Sequence, residues 1–256
     1  MLKIGLFIRR SMAQKLDLSA FRTPYRSEAE TFGPVDIKCK DPITLFKLWL
    51  EEAIKSDQVY EANAMVLSTC SSSGLPSLRY VLLKGLDERG FHFFTNYNSR
   101  KAAELEENPH AALLFYWEPL KRQVRIEGTV TRLSAEENDR YFASRPKKSQ
   151  ISATVSPQSK VVPSREYLET KFTELEKLYP DEEKVPRPEN WGGYAVLPLR
   201  MEFWQGQTTR LHDRILFRRL SPGEVVDPSC TFTGENGCTG WFVTVCSASA
   251  PHPVTS

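Results

Sequence analysis

Basic residues stand inside otherwise apolar or aromatic stretches of this chain. Arg79 and Lys84 enclose an apolar run, Arg100 and Lys101 open a predicted helix, and Arg145 follows the exit of another. A helix N-terminus with cations beside it favours an anion, because its free N–H groups and dipole add to their charge. Arginine also gives the bidentate bonds that suit a phosphate dianion. The pattern therefore predicts a phosphate-binding site.

A second group of cations comes late in the chain, where Arg210, His212 and Arg214 alternate along one predicted strand. A planar ligand that carries phosphate would use cations for the phosphate, and aromatic and amide side chains for its ring. A flavin has that chemistry, although spacing alone does not single it out. The alternative is that these cations lie on solvent-exposed strand surfaces or form ion pairs, without any ligand. The candidate ring contacts are Tyr141, Trp204, Gln123 and Gln158.

Several familiar catalytic motifs are absent from the sequence. It contains no GxGxxG, GxxxxGK[ST], HExxH or GxSxG pattern, which disfavours dinucleotide folds, P-loops, zincins and serine hydrolases. Four histidines and five cysteines without CxxC spacing argue against a metal centre and against a disulfide framework. We therefore expect no metal and a reducing compartment.

The composition is that of a globular protein. Hydrophobic residues make up 40% of the 256 residues and charged residues 26%, with a net charge of +2. This small charge disfavours a nucleic-acid-binding protein. No apolar run approaches the roughly 20 residues of a membrane-spanning helix, so no membrane association is expected. We predict a cytoplasmic protein, although the basic residues 1–16 also fit an organellar targeting peptide, which makes mitochondrial import an alternative.

The elements that must hold these residues follow from periodicity and turn signals. Short turns between strands predict an antiparallel meander, and the intervening helices predict an α+β or mainly β domain. We expect a single domain, because the connector at 180–190 is too short to separate two cores. Strands are predicted at 64–70, 75–84, 91–97, 111–117, 122–133, 193–204 and 210–218, helices at 42–54, 99–107, 134–144 and 164–178, and loop or irregular helix at 147–162.

The same residues carry a resemblance to a known family. The chain resembles the pyridoxamine/pyridoxine 5′-phosphate oxidases, FMN enzymes that make pyridoxal 5′-phosphate. The resemblance covers residues 25–237 and rests on long unbroken stretches. These are EANAM at 61–65, RYVLLKG at 79–85, FFTN at 93–96, SRK at 99–101, FYWEPL at 115–120, RQVR at 122–125, SRP at 144–146, EFWQGQ at 202–207 and RLHDR at 210–214.

The resemblance implies a fold, an assembly and an activity. The fold is a split β-barrel with peripheral helices, assembled as a homodimer with FMN at the subunit interface. The enzyme would oxidise pyridoxamine 5′-phosphate and pyridoxine 5′-phosphate to pyridoxal 5′-phosphate with O2, releasing H2O2, and NH3 from the amine. Residues 1–24 would be a flexible basic segment, 25–237 the FMN-binding domain and 238–256 an atypical tail.

The resemblance also assigns roles to individual residues. The expected catalytic residues are Arg210 and His212. The expected FMN-binding residues are Arg79, Tyr80, Val81, Leu82, Phe94, Thr95, Arg100, Lys101, Gln123, Gln158, Ser159, Trp204 and Arg214. The expected substrate-binding residues are Arg26, Ser27, Glu28, Ala29, Lys84, Tyr141, Arg145, Ser149, Arg210, Leu211 and His212.

The chain departs from the family after Gly237. Family members usually end in a strand that finishes Arg-Leu-x-Pro, and residues 238–256 replace it with small, uncharged residues. We expect this loss to leave the edge of the preceding strand unpaired. An inactive or binding-only isoform is therefore one alternative, and a related split-barrel flavin or deazaflavin reductase is another.

Overall fold

The computed structural model describes residues 41–180, 183–206, 214–220, 231–233 and 241–246. The helices are α1 (Pro42–Lys55), α2 (Arg100–Glu107), α3 (Ala135–Ser144), α4 (Lys147–Val155) and α5 (Arg165–Leu178), with a 3-10 turn at Glu118–Leu120. The strands are β1 (Ala64–Cys70), β2 (Pro76–Leu82), β3 (Gly85–Asp87), β4 (Gly90–Asn96), β5 (His110–Trp117), β6 (Arg122–Arg132), β7 (Trp191–Gln205), β8 (Arg214–Arg218), β9 (Thr231–Thr233) and β10 (Phe242–Cys246).

Most helices begin where their capping residues predict. The Asp41 side chain accepts a hydrogen bond from the first turn of α1, and Ser164 does the same for α5. Ser134 and Glu137 form the predicted capping box of α3. The prediction for α2 is only partly right, because Ser99 occupies the N-cap position but makes no capping bond with its side chain. Its hydroxyl instead lies 3.5 Å from the Lys101 ammonium, which belongs to the site described below.

The strands form one curled antiparallel sheet in the order β2-β1-β5-β6-β7-β8-β10-β9, and β3, off this path, pairs with β4. The long strand β7 organises it. Along one edge of β7, its first half pairs with β4 and its second half with β8, and its other edge pairs with β6 from Tyr194 to Gln205. The sheet therefore splits at β7 into two branches, one that continues through β4 and one that continues through β8. This arrangement confirms the predicted mainly β class with peripheral helices.

A tight turn at Gly90 makes the pairing of β4 with β7 possible. Gly90 has a φ of +110°, a region that residues with a side chain rarely adopt. A Cβ atom there would lie 1.9 Å from the carbonyl oxygen of Val196 on β7. Only glycine lets the two strands approach this closely.

Helix α1 closes the main core with its aromatic face. Phe46 packs edge-to-face on Phe91 and Phe115, with ring centres 4.9 Å apart in both pairs. Trp49 packs in the same way on Phe203 at 5.2 Å. A second, smaller core under α3 and α4 contains Phe142, Ile151, Val185 and Trp191. The site described below lies against this second core.

The structure also corrects two expectations about irregular segments. The stretch at 147–162, predicted as loop or irregular helix, contains the regular helix α4. The prediction that the tail leaves a strand edge unpaired is wrong, because β10 pairs along the full length of β8. Among the helices that the structure describes, none combines the length and apolar character needed to cross a membrane.

Candidate active site

A cavity of about 440 Å³ opens between the sheet and helices α2, α3 and α4. The end of β2, the end of β4, the start of β7 and the first turn of α2 form its walls. It combines cationic, hydroxyl, amide and aromatic side chains. The lining residues are Tyr80, Val81, Leu82, Lys84, Phe94, Thr95, Asn96, Lys101, Tyr141, Arg145, Ser152, Ala153, Ser156, Gln158 and Trp191.

Lys101 is a buried cation in the wall of this cavity. Its ammonium donates to Thr95 Oγ1 at 3.2 Å and to Gln158 Oε1 at 3.1 Å, both of them neutral acceptors. Burial and, to a lesser extent, the nearby Arg79 together lower the pKa of Lys101 to about 8, against the opposing effect of Glu104. An anion in the cavity would stabilise the charged form of this lysine.

Glu104 holds two further cations next to Lys101. Its carboxylate accepts from Arg100 Nε at 2.7 Å and from Arg79 Nη2 at 3.3 Å, and also from the Thr69 hydroxyl. Burial opposes ionisation of Glu104, but the hydrogen bonds from Thr69 and Arg100 outweigh it and keep its pKa below the ordinary value. The result is a cluster of three cations around one buried carboxylate.

Stacked aromatic rings form the opposite wall of the cavity. The Tyr141 ring stacks on Phe94 with centres 3.9 Å apart, and Phe94 stacks on Trp191 at 5.4 Å. Gly193 makes room for this stack, because a Cβ atom at that position would lie 2.7 Å from a Phe94 ring carbon. The stack gives the cavity a flat apolar surface of the kind that a planar ring requires.

Arg145 caps α3 and reaches the cavity over the same aromatic rings. Its guanidinium carbon lies 4.7 Å from the centre of the Trp191 ring. Its Nη1 atom is buried and has no hydrogen-bond partner in the described part of the chain. Burial lowers the pKa of Arg145, and the nearby Tyr141 opposes this shift. A buried donor without an acceptor is costly, so an anionic ligand would stabilise this arrangement.

A second set of predicted FMN residues lies on neighbouring strands. Gln123 on β6 is opposite Trp204 on β7, and Trp204 is opposite Arg214 on β8, so the three form one row across the sheet. Arg214 Nη1 donates to the buried carboxylate of Glu202 at 2.6 Å. Gln123 lines a separate cavity of about 390 Å³ with Tyr80 and Tyr116. We call Gln123, Trp204 and Arg214 the strand row.

The structure brings most of the predicted residues together in these two places. Arg79 and Arg100 do not line the main cavity, but they meet beside it at Glu104. Ser149 does not line it either, whereas Ser152 on the next turn of α4 does. Ser159 follows Gln158 with a φ of +66°. Arg26, Ser27, Glu28, Ala29, Arg210, Leu211 and His212 lie outside the described residues.

Sequence reasoning missed five residues of the main cavity, namely Asn96, Ser152, Ala153, Ser156 and Trp191. Asn96 is adjacent to the predicted Thr95 and ends a strand, which is a usable signal. Trp191 directly precedes Gly192 and Gly193. A large ring beside two glycines in a strand is also a signal, because glycine lets other side chains pack closely against the strand. The α4 residues had no such signal, because their segment showed no clear periodicity. Within the described residues, no three His, Cys, Asp or Glu side chains lie together so as to hold a metal ion.

Comparison with known proteins shows which family the chain belongs to. Residues 50–179 match the family model of pyridoxamine 5′-phosphate oxidase, and residues 191–234 match that of the pyridoxine 5′-phosphate oxidase C-terminal dimerisation region. The pyridoxine-5′-phosphate oxidase of Bos taurus is 55% identical over 226 residues, which cover 88% of this chain and 86% of the relative. This chain belongs to the pyridoxamine 5′-phosphate oxidase family.

A second oxidase and one solved structure are also similar to this chain. The pyridoxine/pyridoxamine 5′-phosphate oxidase of Salinibacter ruber is 56% identical over 182 residues, covering 71% of this chain and 84% of the relative. The crystal structure of PhzG from Burkholderia lata, in complex with tetrahydrophenazine-1-carboxylic acid, matches with a TM-score of 0.73 and 32% identity, over 85% of this chain and 98% of that one. These findings confirm the predicted family and fold class.

Proposed function

We propose that this oxidase converts pyridoxamine 5′-phosphate and pyridoxine 5′-phosphate to pyridoxal 5′-phosphate, with FMN as cofactor and O2 as electron acceptor. The observation that carries the proposal is the unpaired buried Nη1 of Arg145 in a cavity that also contains Lys101. These two cations lie on different elements, at the exit of α3 and in the first turn of α2. The cavity thus has two separate cationic groups for two phosphates, one of the cofactor and one of the substrate.

The donors around Lys101 suit the FMN phosphate. Arg79, Arg100 and Lys101 supply positive charge, and Thr95 and Gln158 supply a hydroxyl and an amide beside it. FMN bound there would supply the redox chemistry, a two-electron oxidation of the substrate at C4′ with O2 as the final acceptor and H2O2 as its product. The contribution of the chain is to bind the phosphate and fix the ring, which is the usual share of a protein in cofactor catalysis.

The residues around Arg145 suit the substrate phosphate. Lys84 lies exposed at the cavity rim, and the Tyr141 hydroxyl and Arg145 guanidinium extend from α3. Ser149 completes the set that the resemblance implies. An arginine fixed on an aromatic ring loses little freedom when it binds, so it can orient the phosphate ester and hence the substrate. We also assign Arg210 and His212 the catalytic roles implied by the resemblance, with Arg210 against the substrate ring.

The active form we propose is a homodimer that shares its FMN sites. In one protomer the predicted cofactor residues fall into two groups, the main cavity and the strand row. Leu78, Tyr80 and Tyr116 expose 71%, 77% and 52% of their surface in the single chain, which makes an uncovered apolar face on β2 and β5. The match of residues 191–234 to a dimerisation region supports a second copy, and we place that copy on this exposed face. The proposed location is cytoplasmic, with mitochondrial import as the alternative.

Turnover by the purified chain tests the function. The enzyme is loaded with FMN and given pyridoxine 5′-phosphate or pyridoxamine 5′-phosphate in air. We expect equal amounts of pyridoxal 5′-phosphate and H2O2 from both substrates, and NH3 only from the amine. A chain that binds FMN yet forms no pyridoxal 5′-phosphate would contradict the proposal and favour a binding-only isoform. Flavin reduction by a nicotinamide cofactor without vitamer oxidation would favour a reductase.

A further inference from the structure

The divergent tail meets the proposed cofactor site at a defined place in the sheet. Strand β10 pairs with β8 over five residues, from Phe242 opposite Arg218 to Cys246 opposite Arg214. Arg214 is in turn opposite Trp204 on β7. The strand row therefore continues across β8 and ends in the tail at Cys246.

The tail strand also contributes to the main core. Trp241 and Val243 are buried, with 7% and 3% of their surface exposed, and both belong to the core cluster under α1. Phe242, which lies between them, and Thr244, which follows Val243, are half-buried. This alternation with period two is that of a strand with one face on the core. The guanidinium of Arg219, just after β8, lies 5.0 Å from the Trp241 ring and adds a cation–π contact.

This contribution comes from residues beyond the two family-model matches. The dimerisation-region match ends at residue 234, whereas the buried side chains belong to residues 241 and 243. A segment whose composition differs from the rest of the chain therefore supplies a strand of the sheet.

A short strand needs neighbours on both edges to keep its register. Strand β8 has five residues, with β7 on one edge and β10 on the other. Without β10 its second edge would expose unpaired N–H and C=O groups, and local opening would cost little. Arg214 lies at the first position of β8, where such fraying would act first.

We propose that residues 241–246 are a positioning strand for the cofactor, which holds β8 in register so that Arg214 stays between Trp204 and Glu202. The proposal rests on the proposed function, because it assumes that Arg214 contacts FMN. It differs from a purely structural role, since the tail strand is expected to act on cofactor affinity through one residue.

Two chain lengths give the first test. A chain ending at residue 240 lacks β10, and a matched control ending at residue 246 lacks only residues 247–256. FMN binding is followed by the quenching of flavin fluorescence, and folding by circular dichroism. We expect the shorter chain to bind FMN about tenfold or more weakly, the change expected when a charge-assisted contact is lost. The control should stay within about twofold of the full chain.

Point variants keep the proposal testable if the shorter chain does not fold. Val243→Ala opens a small gap under β10, whereas the control Thr244→Ala changes the opposite face of the same strand. We expect Val243→Ala to weaken FMN binding several-fold and Thr244→Ala to leave it unchanged. Combination with Arg214→Ala separates a positioning role from general destabilisation. If the tail acts through Arg214, Val243→Ala should add no further loss in that background.

Three results would overturn the proposal: a folded chain ending at 240 that binds FMN as tightly as the full chain, a Val243→Ala variant that binds FMN as tightly as the unaltered chain, or full additivity with Arg214→Ala. A full-length chain that binds no FMN would instead contradict the proposed function, so the two failures are distinguishable.

Discussion

The guanidinium of Arg145 lies over the ring of Trp191, with 4.7 Å from its central carbon to the ring centre. The contact fixes a cation at the cavity wall, while its buried Nη1 has no partner in the part of the chain that the structure describes. Trp191 also stacks with Phe94 and Tyr141, so cation and ring surface are held together. This relationship supports our proposal that a phosphate ester binds here beside a planar ring.

Arg145→Gln should therefore weaken substrate binding selectively. The variant keeps a polar side chain but loses the charge and the planar fork. We expect KM for pyridoxine 5′-phosphate to rise about 10- to 100-fold, because hydrogen bonds to charged groups contribute about 1.5–3 kcal/mol. Steady-state kinetics and an FMN titration measure the two effects. The control is Arg165→Gln on the exposed face of α5, which should change nothing. An unchanged KM in Arg145→Gln would show that the substrate phosphate binds elsewhere.

FMN affinity should depend on pH through Lys101. The pKa of this lysine is about 8 without ligand, well below its ordinary value, because it is buried. A bound phosphate favours the charged form and raises that pKa, so binding takes up a proton above pH 8. We expect FMN affinity to fall as pH rises through about 8, and this step should disappear in Lys101→Met. Titrations from pH 7 to pH 10 would reveal it, and the same pH dependence in both proteins would refute it.

Glu104→Gln should make the cation cluster less stable. The carboxylate is buried and accepts bonds from Arg79, Arg100 and Thr69. We expect the free energy of unfolding to fall by about 1–3 kcal/mol at pH 7, because the amide cannot replace these charge-assisted bonds. The measurement is urea unfolding, with the exposed Glu176→Gln as control.

The same variant has a predicted acid dependence. The pKa of Glu104 is lowered in the folded protein, so its stabilisation is present above its unfolded pKa and is lost as pH falls through the folded value. The difference between the unaltered chain and Glu104→Gln should therefore shrink below about pH 4. A difference that stays constant down to pH 2 would contradict the assignment.

Asn138 joins α3 to Tyr97 and to the start of β7. Its Nδ2 donates to the Tyr97 hydroxyl at 3.2 Å, and its Oδ1 accepts from Gly193 N at 2.8 Å. Because Tyr141 and Arg145 follow on the same helix and at its end, Asn138→Ala should displace them and raise KM for the phosphate substrate several-fold more than it lowers kcat. Asn138→Asp keeps the acceptor oxygen and should restore part of the loss. Arg140→Ala on the exposed side of α3 is the control. If Asn138→Ala lowered kcat by as large a factor as it raised KM, or if the control Arg140→Ala had the same effect, a positioning role would be contradicted.

Local chemistry made part of the fold predictable. Asp41 before Pro42, and Ser134 three residues before Glu137, mark helix starts through bonds that form within one turn. The alternation of apolar and polar residues likewise predicts strand β6. The resemblance to the family, and not the residue pattern, predicts which residues share the main cavity. Ser99 shows the limit of this reasoning, since Lys101 competes for its hydroxyl in the folded chain.

Contacts between distant segments could not be predicted in the same way. Phe91 pairs with Val196, and nothing local in β4 specifies that partner. The place of Trp191 in the cavity depends on α3 and β4 meeting it in space. The tail was misjudged because its composition lacks charge, whereas Trp241 and Val243 already show the alternation of a half-buried strand. The pairing of residues 242–246 with β8 is what makes this part of the tail a strand.

One binding comparison shows whether the cavity recognises a phosphate ester through Arg145. Pyridoxal 5′-phosphate and pyridoxal, which differ only in the phosphate, are titrated into the FMN-loaded enzyme, with the flavin absorption as signal. The product pair is used because pyridoxal 5′-phosphate does not reduce the flavin in the proposed reaction. We predict that the phosphate ester binds at least about 100-fold more tightly, and that Arg145→Gln reduces this ratio about tenfold or more. Equal binding of the two compounds, or a ratio unchanged in Arg145→Gln, would contradict the account.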